Sequence, residues 1–357
     1  MLAADIVRSN GPQHRGDCRA SPPRRGRRPV GRRFQPGPDR RQRPSGRRAR
    51  LPAKRDRWRN EGTIPGDDVD RMQIGFLGAG QMGSGMALCL SRAHPVVTML
   101  HRNRGQETRL RAADIEIVDR AEAVAERSDV LFLCLPNADT VRDIVERVRG
   151  VLPGGAMIVD TTTSHPAVTR ELAADLAAAG FAFIDAPATG GPAEAADGML
   201  VSMVGATKAN YQRVEPFLAL TSETIVHFGG PGAGHAAKLI NNFITQGQAA
   251  LTIEAMRRCE AVGIDMAHMV EAIAASGSRS GTFMRIMPSV VAGTYDGLPF
   301  SLENAAKDVR YAREMFAEAG VPSTLIEGGL SAFFEAELSR WPPQTFISGL
   351  MRDSALD

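Results

Sequence analysis

From residue 72 onward, short apolar runs alternate with helix-length amphipathic stretches. The runs Gln73 to Leu77, Val96 to Leu100, Ile115 to Val118, Val130 to Leu135, Ala156 to Val159 and Phe181 to Ile184 read as strands. Several are apolar at every position, as a parallel sheet covered on both faces requires. Between them, Gln81 to Arg92, Ala121 to Arg127, Thr140 to Val148 and Ala167 to Ala179 carry the helical period. This alternation predicts a doubly wound parallel α/β domain over residues 72–234. Beyond Gly234 the strand signal stops. His235 to Val262 is one long apolar-rich helical stretch, and Met266 to Ala275, Leu302 to Ala319 and Pro322 to Leu338 continue as helices. An all-α C-terminal domain over 235–357, joined to the first through the long interdomain helix 235–262, is the simplest reading.

Residues 1–71 follow neither pattern. They hold 20 of the chain's 43 Lys and Arg but only 8 of its 40 Asp and Glu, so the overall +3 covers a basic leader and an acidic body. The whole-chain charge therefore gives no argument for a nucleic-acid partner, and none is expected. The leader, with runs such as Pro22-Pro23-Arg24-Arg25 and Arg47-Arg48-Ala49-Arg50, has too little apolar surface to offset chain entropy and is expected to be disordered. It lacks the apolar core of a secretory signal and the acid-poor amphipathic pattern of a transit peptide. The preferred expectation is that Met72 is the natural start; a basic binding arm and a targeting segment are the alternatives.

Cys18, Cys89, Cys134 and Cys259 are far apart and form no C-x-x-C pair, which argues against a zinc site and a disulfide framework. No metal is expected, and a reducing cytoplasm is the expected location. No apolar run reaches the roughly 18 to 20 residues that span a bilayer, so no membrane partner is expected.

The chemistry begins at Ile74-Gly75-Phe76-Leu77-Gly78-Ala79-Gly80-Gln81-Met82-Gly83, a strand running through G-x-G-x-x-G into a helix. In that context Gly78 permits the tight turn, Gly80 lets a pyrophosphate approach the backbone, and Gly83 lets helix and strand pack closely. The phosphates would sit at the helix N-terminus. The motif is weak alone, but at the first strand-to-helix turn it marks a Rossmann dinucleotide site including Ala79, Gln81 and Met82. About 20 residues on, where an NAD enzyme offers Asp or Glu to the ribose, the chain has His101-Arg102-Asn103 and no acid. Arg102 can instead pair with a 2′-phosphate through its planar guanidinium, so NADP is favoured over NAD. A solvated loop is the alternative for these residues.

Three further segments follow in order. Asp160-Thr161-Thr162-Thr163-Ser164-His165-Pro166 places hydroxyls just past a strand's C-terminal end, where open α/β sheets bind ligands; a helix cap before Pro166 is the other reading. Asp185-Ala186-Pro187-Ala188-Thr189-Gly190-Gly191-Pro192 can hold a substrate anion through the Thr189 hydroxyl and the Gly190 and Gly191 amides. Gly232-Ala233-Gly234-His235-Ala236-Ala237-Lys238-Leu239-Ile240-Asn241-Asn242 opens the long helix, and Lys238 and Asn242, four apart, share a face. A lysine on so apolar a helix is costly unless used. Burial would lower its pKa until it can exchange a proton with a substrate hydroxyl.

The succession G-x-G-x-x-G, D-x-[ST]-T-x-x-P, D-A-P-x-[ST]-G-G and G-x-G-x-x-x-K-x-x-x-N resembles the 3-hydroxyisobutyrate dehydrogenase, or β-hydroxyacid dehydrogenase, family over roughly Met72 to Phe316. The resemblance implies Lys238 as the catalytic residue, with Asn242, Thr189 and Gly190 around the substrate. It implies cofactor contacts from Leu135, Pro136, Thr140 and Thr163, and from Lys307 of the Lys307-Asp308 pair. It also implies a homodimer or homotetramer formed through the helical domain. Departures are Thr162 and Thr189, where the family most often has Ser, and Thr140, where many members have Asn.

The expected chemistry is hydride transfer between a nicotinamide and the hydroxyl carbon of a short 3-hydroxy acid, or reduction of the matching semialdehyde, with Thr162, Thr189, Gly190 and Gly191 holding the carboxylate. A 6-phosphogluconate dehydrogenase-like enzyme would want more basic residues and a longer helical domain. A cofactor-sensing interaction module would have no use for Lys238. His165 and His235 read as a loop residue and a helix-start residue; Met284, Met287, Phe333 and Phe334 read as core.

Overall fold

The structure, a computed structural model, describes residues 72–100 and 104–352, all within one compact unit. The leader and the segment His101-Arg102-Asn103 lie outside the described residues. Six parallel strands, β1 (Ile74–Leu77), β2 (Val96–Met99), β3 (Glu116–Val118), β4 (Val130–Leu133), β5 (Met157–Asp160) and β6 (Ala182–Asp185), stand in the order β3-β2-β1-β4-β5-β6. Each apolar run feeds both faces by alternation. Ile74, Phe76, Val130, Phe132, Met157 and Val159 enter one core, and Leu77, Leu131, Leu133 and Ile158 the other. Strands covered on both faces in this way leave little room for polar side chains.

The helices that cover these faces begin where local chemistry allows. They are α1 (Gln81–Leu90), α2 (Glu107–Arg111), α3 (Ala121–Ala125), α4 (Ala138–Val148) and α5 (Pro166–Ala178). Helix α4 starts two residues before the expected Thr140 because Asn137 caps it, its side chain accepting the Thr140 N–H at 2.9 Å. Helix α5 starts at Pro166, whose missing N–H costs nothing in a first turn, and His165 caps it through Nδ1, which accepts the Ala167 N–H.

The sheet does not end at β6, where the expected strands end. β8 (Leu200–Gly205) pairs antiparallel to both β6 and β7 (Ala188–Thr189), and β9 (Ser222–Gly229) pairs parallel to β8, making nine strands among the described residues. The sheet is thus parallel-dominated and mixed. α6 (Pro192–Asp197) and α7 (Lys208–Thr221) fill the connections.

α8 (Ala233–Ala261) then runs for 29 residues, about 43 Å at 1.5 Å per residue. Its first turns pack on β6, β8 and β9; its remainder carries the helical lobe. That lobe comprises α9 (Met266–Ala274), α10 (Gly281–Val291), α11 (Leu302–Glu318) and α12 (Ser331–Arg340). α10 was not expected, because Pro288 lies within it and proline breaks most helix interiors. The single helix expected over Pro322 to Leu338 is present, helical without a break over residues 324–340, with a π-helical stretch at Ile326–Leu330 running directly into α12. Met287 and Phe334 are core, with Met284 and Phe333 packed against it. The buried Arg257 guanidinium pairs with Glu337 and donates to the Leu350 carbonyl at 2.7 Å, pinning the C-terminal segment to α8. Among the described residues no helix is long and apolar enough to cross a membrane.

Candidate active site

A cleft of about 1090 Å³ lies between the C-terminal ends of β1, β4 and β5 and the helices α8 and α11. It brings together Gly78, Gly80, Gln81, Met82, Gly83, Leu135, Pro136, Thr162, Thr163, Gly190, Gly191, Lys238 and Lys307, all expected at the site. Ala79 lies buried beneath it. Thr140, Thr189 and Asn242 are not in its lining.

The dinucleotide turn fits its expected role. Gly78 has φ +98°, and a Cβ there would meet the Cys134 carbonyl oxygen at 2.1 Å; one on Gly83 would meet Gly78 O at 2.2 Å. Around Gly80 the space is open to 4 Å. Gly80 caps α1 with no side-chain hydrogen bond, so the first-turn amides face the cleft unused, as an anion at a helix N-terminus needs. These residues fit a dinucleotide pyrophosphate. Next to the turn, the half-buried Cys134 thiol is pushed up to about 11, chiefly by desolvation, so it stays protonated and is no nucleophile.

The loops after β4 and β5 are tied to each other and to α11. The Thr162 hydroxyl accepts the Leu135 N–H at 2.9 Å and faces the Asp160 carboxylate, so a ligand would compete with Asp160 for its hydrogen. Lys307 donates to the carbonyls of Pro136 and Thr163, both at 3.0 Å. Tyr311, a turn further on, accepts the Ala138 N–H through its hydroxyl. Asn137, which sequence reasoning passed over in favour of Thr140, lines the cleft; Thr140 serves as its hydrogen-bond partner. In the glycine loop the Gly191 N–H is taken by Glu194 at 2.8 Å, so an anion held there would use the Gly190 side of the turn.

At the cleft's inner end Lys238 is only 7% exposed, and its Nζ makes no hydrogen bond or ion pair with any described residue. Burial lowers its pKa to about 8; Lys307 adds to the effect and Asp308 opposes it. Asp308, the second residue that sequence reasoning missed, is 2% exposed and lines the same cleft. Its Oδ2 accepts from Asn242 Nδ2 at 2.6 Å, its Oδ1 lies 3.3 Å from Lys307 Nζ, and Oδ1 has no hydrogen-bond partner. The signal was available. Asp308 falls on the apolar stripe of α11 with Leu302, Ala305, Val309 and Ala312, where a carboxylate is costly without a role. Asn242 reaches the site through Asp308, while its own Oδ1 accepts from Asn241. His165 and His235 are both buried and structural. Among the described residues no cluster of three metal-ligating side chains exists, and Cys89, Cys134 and Cys259 are free.

A dinucleotide turn, a hydroxyl loop and a buried lysine converging on one cleft define a nicotinamide-dependent oxidoreductase. Residues 73–229 match the family profile described as the NAD binding domain of 6-phosphogluconate dehydrogenase. Residues 232–338 match the one described as NAD-binding of NADP-dependent 3-hydroxyisobutyrate dehydrogenase. The chain is 31% identical over 269 residues to 2-(hydroxymethyl)glutarate dehydrogenase of Eubacterium barkeri, covering 72% of this chain and 89% of that protein. It is 30% identical over 255 residues to 3-sulfolactaldehyde reductase of Escherichia coli (strain K12), covering 71% and 86%. In fold it is similar to a 3-hydroxyisobutyrate dehydrogenase from Salmonella typhimurium, with TM-score 0.72 at 24% identity over 79% of this chain and 99% of that one. The chain belongs to the 3-hydroxyisobutyrate dehydrogenase, or β-hydroxyacid dehydrogenase, family, and is an NAD(P)-dependent oxidoreductase acting on CH–OH.

Proposed function

We propose that this enzyme interconverts a short 3-hydroxy acid and its semialdehyde, with Lys238 as general acid and base. The observation that carries the reading is Lys238 itself: buried, unpaired, facing the cleft, and brought to about 8. A base or acid poised near working pH is what proton exchange with a hydroxyl needs. The nicotinamide, when bound, takes or supplies the hydride. In oxidation, neutral Lys238 Nζ accepts the hydroxyl proton as the carbinol hydrogen leaves as hydride, and the carbon becomes a carbonyl. In reduction the Lys238 ammonium returns that proton to the carbonyl oxygen. Asp308 keeps the lysine within reach of its charged form, and Asn242 steadies that carboxylate by donating to its Oδ2. The Thr162 hydroxyl and the Gly190 turn, both on the cleft wall, are the donors that this reading assigns to the carboxylate.

NADP is the preferred cofactor in this reading, because Arg102 follows β2 where an NAD enzyme would offer an acid. The two relatives above are named for substrates of the hydroxy-acid and aldehyde class, which supports the choice of chemistry. For oligomerisation, Ile240, Ile244 and Leu251 are 47%, 56% and 70% exposed and fall on one face of α8. Such a stripe suits isologous pairing with a second copy of the chain.

The test is cofactor absorbance with a panel of short 3-hydroxy acids and semialdehydes, each with NAD(H) and NADP(H). The reading requires turnover with at least one pair, faster with NADP(H). Tight cofactor binding with no turnover across the panel would defeat it, and faster turnover with NAD(H) would remove the Arg102 assignment.

A further inference from the structure

Behind Lys238 three segments from different parts of the chain meet in a fully buried polar cluster. Asp185, at the end of β6, accepts the Gly232 N–H on Oδ1 and the His235 N–H on Oδ2, each at 2.8 Å. It therefore caps the first turn of the longest helix with a carboxylate, where the helix N-terminus favours negative charge. The approach needs Gly234: a Cβ there would meet Met203 O at 2.4 Å and Asp185 O at 2.9 Å.

From that same turn the His235 ring reaches the hydroxyl loop. Nε2 lies 2.8 Å from the Thr162 carbonyl oxygen, and Nδ1 lies 2.7 Å from the Thr169 hydroxyl. A carbonyl only accepts, so Nε2 carries the hydrogen and donates. Nδ1 then accepts the Thr169 hydroxyl proton, for which the His165 carbonyl at 3.2 Å is the weaker competitor. The charged groups facing the ring are Asp160 at 3.8 Å, Asp185 at 3.9 Å, Lys307 and His165. Burial lowers the imidazole's pKa, against the pull of Asp160, in keeping with the neutral ring.

We propose that Asp185 and His235 are positioning residues for the Lys238 reaction, a strut that sets the lysine against the cofactor-side loops. Asp185 anchors the first turn of α8 to the sheet. His235 ties that turn to Thr162, whose hydroxyl in turn accepts the Leu135 N–H. Lys238, one turn further along α8, is thereby registered against both loops that line the cleft. Neither residue touches substrate. The inference rests on Lys238 being the proton-exchanging group, and its role is to hold distance and angle, to which hydride and proton transfer are steeply sensitive.

The test has two arms. Nitrogen NMR of the histidine rings in the wild-type protein, assigned by comparison with His235→Gln, should show His235 with Nε2 protonated and Nδ1 as an unprotonated acceptor. Protonation of Nδ1 would overturn the strut without touching the lysine assignment. In the second arm, His235→Leu, Asp185→Asn and His235→Gln are measured for kcat, KM, cofactor affinity and the isotope effect with deuterated reduced cofactor. His235→Leu and Asp185→Asn should lose kcat by on the order of 10²-fold, with cofactor affinity kept and the isotope effect raised because hydride transfer now limits the rate. His235→Gln, whose amide can still donate to the Thr162 carbonyl, should recover most of the loss. A folded His235→Leu enzyme with wild-type kcat and isotope effect, or a glutamine variant no better than leucine, overturns the proposal. Lys238→Ala run alongside separates the two readings: full activity there removes the lysine assignment, and inactivity there with active His235→Leu removes only the strut. Should the leucine variant not fold, the wild-type nitrogen spectrum still decides.

Discussion

At the scale of single residues, the account turns on how burial and neighbours set Lys238. Its pKa of about 8 fixes the sign of the pH dependence. Reduction needs the ammonium and should fall as pH rises through about 8; oxidation needs the free amine and should rise over the same interval. Initial rates in both directions from pH 6 to pH 10, values bracketing that pKa, check this, and parallel profiles would count against the lysine. Asp308 raises the lysine's pKa, so Asp308→Asn should move both limbs to lower pH; an unmoved profile would show that the carboxylate does not act on Lys238. Lys238 was legible because a charged residue on an apolar helix demands an explanation. Asp308 obeys the same rule on α11, where it shares the apolar stripe with Leu302, Ala305 and Val309. Thr140 stands differently: the resemblance implies a cofactor contact there, while its N–H and hydroxyl both bond to Asn137 Oδ1, and capping geometry is three-dimensional.

At the scale of elements, the six parallel strands were legible because most are covered on both faces and read as short apolar runs. β7, β8 and β9 were not: β7 is two residues long, β9 is largely exposed, and β8 follows a six-residue helix too short for the parallel crossover rhythm. α10 was hidden by Pro288, which the helix accommodates one turn before its end. Two substitutions test how these elements hold the site. Gly78→Ala forces a side chain into φ +98° against the Cys134 carbonyl, and should cost at least ~1–3 kcal/mol together with most cofactor affinity; thermal unfolding and cofactor titration measure both. Arg257→Ala leaves Glu337 buried without its partner and frees Leu350 O, a loss of about 3–5 kcal/mol. Denaturant unfolding reads this directly, and a change below 1 kcal/mol, the range of exposed pairs, would mean that the pair is solvated.

At the scale of the whole molecule, one cleft serves two bodies of structure. The sheet supplies the dinucleotide turn and the hydroxyl loop, while α8 and α11 bring Lys238, Asp308 and Lys307 to the sheet's C-terminal ends. The apolar stripe on α8 gives a further prediction: Ile244→Glu should shift the enzyme to a smaller species in sedimentation, and an unchanged mass would place any pairing surface elsewhere. The order of motifs was legible along the chain, but the face that α8 turns outward was not, because exposure depends on which helices pack beside it. The most direct test of the central claim is single-turnover hydride transfer by Lys238→Ala with a substrate on which the wild type is active. The account predicts cofactor binding as in the wild type and a transfer rate lower by ~10²–10⁴-fold; transfer at the wild-type rate would contradict it.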